Sequence, residues 1–310
     1  TLEGGTFSGS GGTSVINAGY LGTQLDLGNI LVTTTPGSGT PPEEGRIHLV
    51  AGTTLSWGSG NMLTLDAERE ILLDGSIAAP AGALSMNSRG GGITVQPSST
   101  ISVHQALLSA LGNIAVHGSI DAVGAASSGS YSVAGDGGQV SLLSHAGSIT
   151  IEGEVRVDGG DGSAGATAGN AGSITLRAPH ECSDDGSVCS AGGNISVTGR
   201  LGARGGAADY GAVAGAGGRV WLAADHDITT QHIDVRGGDA DAGDGGKGGS
   251  VLVESQHGDV AATGRITVSG GSGGRGLSGN GRGGLSRRGL RRRDSRLLGG
   301  LLGHGGKPRS

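Results

Sequence analysis

Carboxylates and phenols gather where this chain is richest in glycine. Asp158, Asp161, Asp239, Asp241 and Asp244 stand in such stretches, and Tyr131 and Tyr210 stand in two more. Carboxylate and backbone oxygens in a glycine-rich loop are Ca²⁺ ligands by type, but the nonapeptide spacing of calcium-binding β-rolls is absent. These seven residues are therefore expected to form a binding surface, with no metal and no cofactor. Cys182 and Cys189, close together in a polar stretch, are expected to form a small disulfide. His145, His180, His226 and His257 recur at one offset and suggest a turn ladder more than a metal site. Gly270-Gly271-Ser272-Gly273-Gly274 fits G-x-S-x-G, but nothing around it reads as the strand-turn-helix context a serine nucleophile needs. Asn194-Ile195-Ser196 fits a glycosylation sequon, though on a strand. No catalytic residue is assigned.

The elements that must position these groups are short apolar triplets. Ile71-Leu72-Leu73, Ile93-Thr94-Val95, Ile114-Ala115-Val116, Ile149-Thr150-Ile151 and Ile195-Ser196-Val197 are copies of one strand. A second set starts at Leu63, Leu84, Leu107, Val140, Ile174, Val220 and Val251, and a third at Ile77, Ile101, Ile120, Val155, Leu201, Ile233 and Ile266. Strand side chains alternate, so the first and third residue of each triplet face inward. Leu108 is thereby placed outward, along with Thr64, Ser85, Ser141, Thr175 and Trp221. Three strands per repeat predict an all-β fold: a right-handed, single-stranded parallel β-helix of roughly seven to eight turns. Outward charges fall on the third face, at Asp121, Arg156 and Asp234, and read as cross-strand pairs.

Composition agrees with a narrow core. The 310 residues include 69 glycines and only 2% aromatics, which suits an interior one side chain deep. No apolar run is long enough for a spanning helix. Beyond residue 120, each third-face strand is followed by a long glycine-rich segment, at 122–139, 158–172, 203–218, 236–249 and 269–284. All leave at one corner and must stack into a ridge, either a recognition surface or a flexible spacer. Residues 1–44 read as irregular or partial turns, 45–269 as the β-helix and 270–310 as a disordered Gly/Arg-rich tail. From Arg275 onward the chain holds ten of its 21 Lys and Arg, so the body is acidic despite a net charge of only −6. A basic tail alone does not make a nucleic-acid-binding protein.

The segment 55–71, Leu55-Ser56-Trp57-Gly58-Ser59-Gly60-Asn61-Met62-Leu63-Thr64-Leu65-Asp66-Ala67-Glu68-Arg69-Glu70-Ile71, resembles the recurring "LxWxSxNxLTLxAxRxI" segment of filamentous haemagglutinin-type exoproteins, the passengers of two-partner secretion. Gly-Gly-Gln-Val-Ser-Leu at 137–142 and Gly-Ser-Ile-Thr-Ile-Glu-Gly at 147–153 are similar to their glycine-rich repeats. The resemblance spans roughly residues 21–270. It implies a right-handed β-helix, export through an outer-membrane transporter partner, display on the bacterial surface, and adhesion to a glycan, a matrix or a neighbouring cell. The family's secretion domain with its Asn-Pro-Asn motifs is missing. A polysaccharide lyase or hydrolase on the same fold is the alternative. A third reading is an ice- or surface-binding Thr/Ser column, which Leu72, Ala115 and Ala261 interrupt.

Overall fold

The computed structural model describes residues 2–3, 5–8, 14–34, 45–127, 129, 131–163, 165–180, 192–209, 212–274 and 284–289. Strand makes up 46% of the described residues and helix 4%, so sheet pairing has to organise the fold. Nearly all pairing is parallel and falls into three columns, an arrangement compatible with a β-helix. The first column stacks Ile30, Leu63, Leu84, Ala106, Val140, Ile174, Val220 and Val251. The second runs Ile47, Ile71, Ile93, Ile114, Ile149, Ile195, Ile228 and Val260. The third runs Leu55, Ile77, Ile101, Ile120, Val155, Leu201, Ile233 and Ile266.

These residues pack because like stacks on like. From Ile71 to Ile228 every second-column isoleucine is at most 1% exposed, and each adds dispersion contacts to those above and below. From Met62–Ala67 onward the first-column strands end by burying a third, small side chain at the corner: Ala67, Ser88, Ala110, Ser144, Ala178, Ala224 and Ser255. Where that residue is serine its hydroxyl is bonded, as Ser144 Oγ is to the Gly112 carbonyl at 2.8 Å and Ser255 Oγ to the His226 carbonyl at 2.8 Å. At the next corner a polar ladder fixes the register. Asn113 Oδ1 accepts the Ser148 N–H, Ser148 Oγ the Asn194 N–H, Asn194 Oδ1 the Asp227 N–H, and Asp227 Oδ1 the Asp259 N–H, at 2.8–3.1 Å. This ladder, one position before the second column, uses the sequon asparagine internally.

Three expectations change. In the strand Thr100–Ala110, Ala106 and Leu108 face inward while Leu107 is outward, one residue off the expected register. The Leu107-Leu108 pair satisfies either phase, and the pairing of Ala106 with Leu84 and Val140 decides it. Residues 1–44 contain a helix, Ala18–Leu27, N-capped by the Asn17 side chain, which accepts the Tyr20 N–H at 3.0 Å. Its Leu21 and Leu25 are buried, and its Asp26 binds the Gly58 and Ser59 N–H groups, so it covers the end of the third column. Finally, the coil does not stop at residue 284: Gly284–Gly289 pairs in parallel with Ser250–Ser255, with Leu285 opposite Val251. The rest of the basic tail lies outside the described residues, as do Cys182, Cys189 and Tyr210.

Candidate functional site: a charged groove along the glycine ridge

The glycine-rich segments are ordered by their own backbones. In each, an outgoing arm bonds the outgoing arm of the next repeat: Gly124 N–H to the Asp158 carbonyl, Gly159 to Arg204, Gly205 to Arg236 and Gly237 to Ser269, at 2.8–3.0 Å. Three residues on, Ser127, Gly162, Ala208 and Ala240 repeat the pattern, bonding Asp161, Ala207, Asp239 and Ser272 at 2.8–2.9 Å. A second chain of bonds zigzags between outgoing and returning arms, from Gly135 to Ala125, Gly160 to Gly135, Gly169 to Gly160, Gly206 to Gly169, Gly215 to Gly206 and Gly238 to Gly215. A repeat of three with successive N–H groups aimed at different neighbours is the geometry of extended, three-residue-per-turn chain. Glycine is needed where arms touch: a Cβ on Gly160 would collide with the Ala125 carbonyl and one on Gly206 with that of Gly160. Over its described residues the ridge is a packed layer.

The same period of three sets one residue in three toward a groove, and these carry the chemistry, all at least partly exposed except Asp158, which is only 6% exposed. Asp158 and Asp161, Arg204 and Ala207, Arg236 and Asp239, and Ser269 occupy such places and line an open groove of about 460 Å³ across successive repeats. The three aspartates are already engaged. Asp158 Oδ1 accepts the Arg204 N–H at 2.7 Å, Asp161 Oδ1 the Ala207 N–H at 2.8 Å, and Asp239 Oδ1 the Ser272 N–H at 2.7 Å. Donation from the Ser272 backbone and hydroxyl holds the Asp239 carboxyl below its ordinary pKa. Tyr131, Asp241 and Asp244 are exposed and lie apart from the groove lining. Among the described residues no cluster of His, Cys, Asp and Glu is arranged to hold a metal ion.

Beside the groove, the third column carries a closed ring of ion pairs. Glu154 meets Arg200 at 3.6 Å, Arg200 meets Asp234 at 3.4 Å, Asp234 meets Arg204 at 3.9 Å, Arg204 meets Asp158 at 3.7 Å, Asp158 meets Arg156 at 3.3 Å, and Arg156 returns to Glu154 at 4.0 Å. Arg236 adds a further bond to Asp234 at 2.9 Å. Burial pushes the Asp234 carboxyl up, but the hydrogen bond and charge of Arg236 outweigh it and the group ends below its ordinary range. Asp121, opposite Arg156 in the pairing, goes the other way: burial raises it and Arg156 offsets this only in part. Arg200, Arg204 and Arg236 each keep about two-fifths of their side-chain surface exposed, so guanidinium edges remain open to a ligand.

Sequence reasoning found Asp121, Arg156 and Asp234 as a paired set, and the structure adds Glu154, Arg200, Arg204 and Arg236. The missed signal was one more step of alternation: Arg204 follows inward Leu201 and Ala203, and Arg236 follows inward Ile233 and Val235. Three of the four histidines come together across successive turns. Asp225, only 3% exposed, gathers three of them, with His257 Nδ1 at 2.5 Å, His226 Nε2 at 3.6 Å and His180 Nδ1 at 3.9 Å. His145 Nε2 lies 3.1 Å from Ser109 Oγ. No family model, curated protein or solved structure matches this chain, and no described helix is long and apolar enough to cross a membrane.

Proposed function

We propose that the chain is part of a secreted, surface-displayed adhesive rod that holds a glycan along the charged groove. In this reading the three columns are the faces of a right-handed β-helix of roughly seven to eight turns, exported through an outer-membrane transporter partner as in the haemagglutinin-type exoproteins it resembles. The observation that carries it is the groove itself. Its lining comes from successive repeats and runs along the stack, which suits an elongated, repeating ligand more than a compact substrate. Half-exposed guanidiniums supply donors for sugar hydroxyls and carboxylates at little ordering cost, since the ion-pair ring already fixes them. The sticking surface of such a rod needs no enclosed cavity.

The test is retention on immobilised cell-surface polysaccharides by the full chain and by a variant with Arg156, Arg204 and Arg236 all changed to Gln. The variant is expected to lose retention at least tenfold while its circular dichroism spectrum is unchanged; equal retention contradicts the groove. One observation favours a second reading, a carbohydrate-active enzyme: burial raises the Asp121 carboxyl above its ordinary pKa while Arg236 lowers that of Asp234 on the same column, the opposed shifts that set an acid apart from a base. Release of reducing ends or unsaturated products by the chain, lost in Asp121→Asn, would select that reading over adhesion.

A further inference from the structure

A second surface of the rod, on the first column and outside the groove lining, carries an indole with two guanidiniums over its ring, neither of them ion-paired among the described residues. Trp221 occupies an outward, half-buried position, paired with Thr175 on one side and Leu252 on the other. The Arg177 guanidinium lies 5.7 Å from its ring centroid and that of Arg219 5.8 Å. The neighbouring outward position on the same strand is the small Ala223, and the indole Nε1–H points to Glu254 Oε2 at 3.4 Å, so the ring is held from its edge. Among the described residues Arg46, Arg89, Arg156, Arg200, Arg204 and Arg236 all take part in ion pairs. Arg69, Arg177, Arg219 and Arg265 do not, and of these Arg177 and Arg219 lie over the indole.

We infer that Trp221, Arg177 and Arg219 form a subsite for an acidic saccharide whose negative charge is a carboxylate, that is, a uronate residue of a polysaccharide. A pyranose ring has a face of C–H groups that stacks on an indole, and a guanidinium takes a carboxylate through two parallel hydrogen bonds. Cation–π attraction holds both guanidiniums within 6 Å of the ring centroid, so the charges are placed before the ligand arrives. Neutral sugars would use the indole alone, and a sulfated chain would use the charges without needing the ring. The site is independent of the charged groove: its failure would leave the groove reading standing, and the reverse holds.

The probe is an oligogalacturonate of defined length, titrated calorimetrically into the full chain beside its methyl-esterified counterpart and a dextran sulfate of similar length. The acid form is expected to bind at least tenfold more tightly than the ester. Changing Arg177 and Arg219 together to Gln should reduce the acid form to the affinity of the ester, Trp221→Ala should weaken both, and Trp221→Phe should retain most of the binding while reporting that the strand still folds. The same titrations are run in the triple Gln variant of the groove, where binding to the Trp221 site is read without the groove's own arginines and should persist. Equal affinity of that variant for acid and ester overturns the inference, as does binding by it that survives Trp221→Ala. Tighter binding of dextran sulfate than of the uronate, insensitive to Trp221, overturns it in favour of unspecific polyanion attraction.

Discussion

At the scale of single residues, two carboxyls in one charged patch are driven in opposite directions. The folded Asp234 carboxyl titrates below its unfolded value near 3.9, so its stabilising contribution is fully present above that pH and is lost as pH falls through the folded pKa. Asp121 is the reverse. Its folded pKa is raised, so its contribution is favourable in acid and is lost as pH rises through that value. Asp234→Asn should lower the thermal midpoint at pH 7, by about 1–2 kcal/mol in stability, because Arg200, Arg204 and Arg236 lose a shared partner. Asp121→Asn should leave the midpoint level or higher at pH 7 and lower it near pH 3. Thermal melts followed by circular dichroism at both pH values check the signs. Such pairing was only half legible in the sequence: alternation places Asp121, Arg156 and Asp234 on one face, but which charges meet depends on how far each strand's outward alternation continues into its loop.

At the scale of the element, the column decides inward from outward, and a strand's own letters do not always suffice. Ile93, Ile114, Ile149 and Ile195 were legible because an aliphatic flanks each polar or small residue on both sides, and their recurrence carried Ile71-Leu72-Leu73 with them. Leu107 and Leu108 were not, since both phases of that strand read as apolar. Leu108→Asn should therefore cost about 2–5 kcal/mol, while Leu107→Asn should stay within about 0.5 kcal/mol. Equal effects in urea melts would restore the other register. Ile149→Asp places an unpaired charge between Ile114 and Ile195, and should loosen the strands above and below as well as its own. An unchanged melting midpoint would remove the inward assignment. The helix Ala18–Leu27 escaped notice for a different reason. Its apolar side chains are too few for a clear stripe, and its place is set by what it covers, the exposed end of the third column.

At the scale of the whole molecule, the columns supply stability and the ridge supplies the surface. Composition alone cannot separate an ordered glycine layer from a glycine-rich linker, because the difference lies in which backbone groups meet. Here they meet every third residue, and the groove-lining residue in three is the buried Asp158 or the exposed and half-exposed Asp161, Arg204, Arg236 and Asp239. Both the groove and its fixed arginines depend on that layer being formed before any ligand binds. Hydrogen exchange of the ridge amides tests this most directly. Gly160, Gly206 and Gly238 should exchange as slowly as Ile149 and Ile195 in the second column, and Gly206→Val should abolish protection across the ridge while leaving the column amides slow. Ridge amides that exchange at the rate of an unstructured chain, with the columns protected, would contradict a preformed groove.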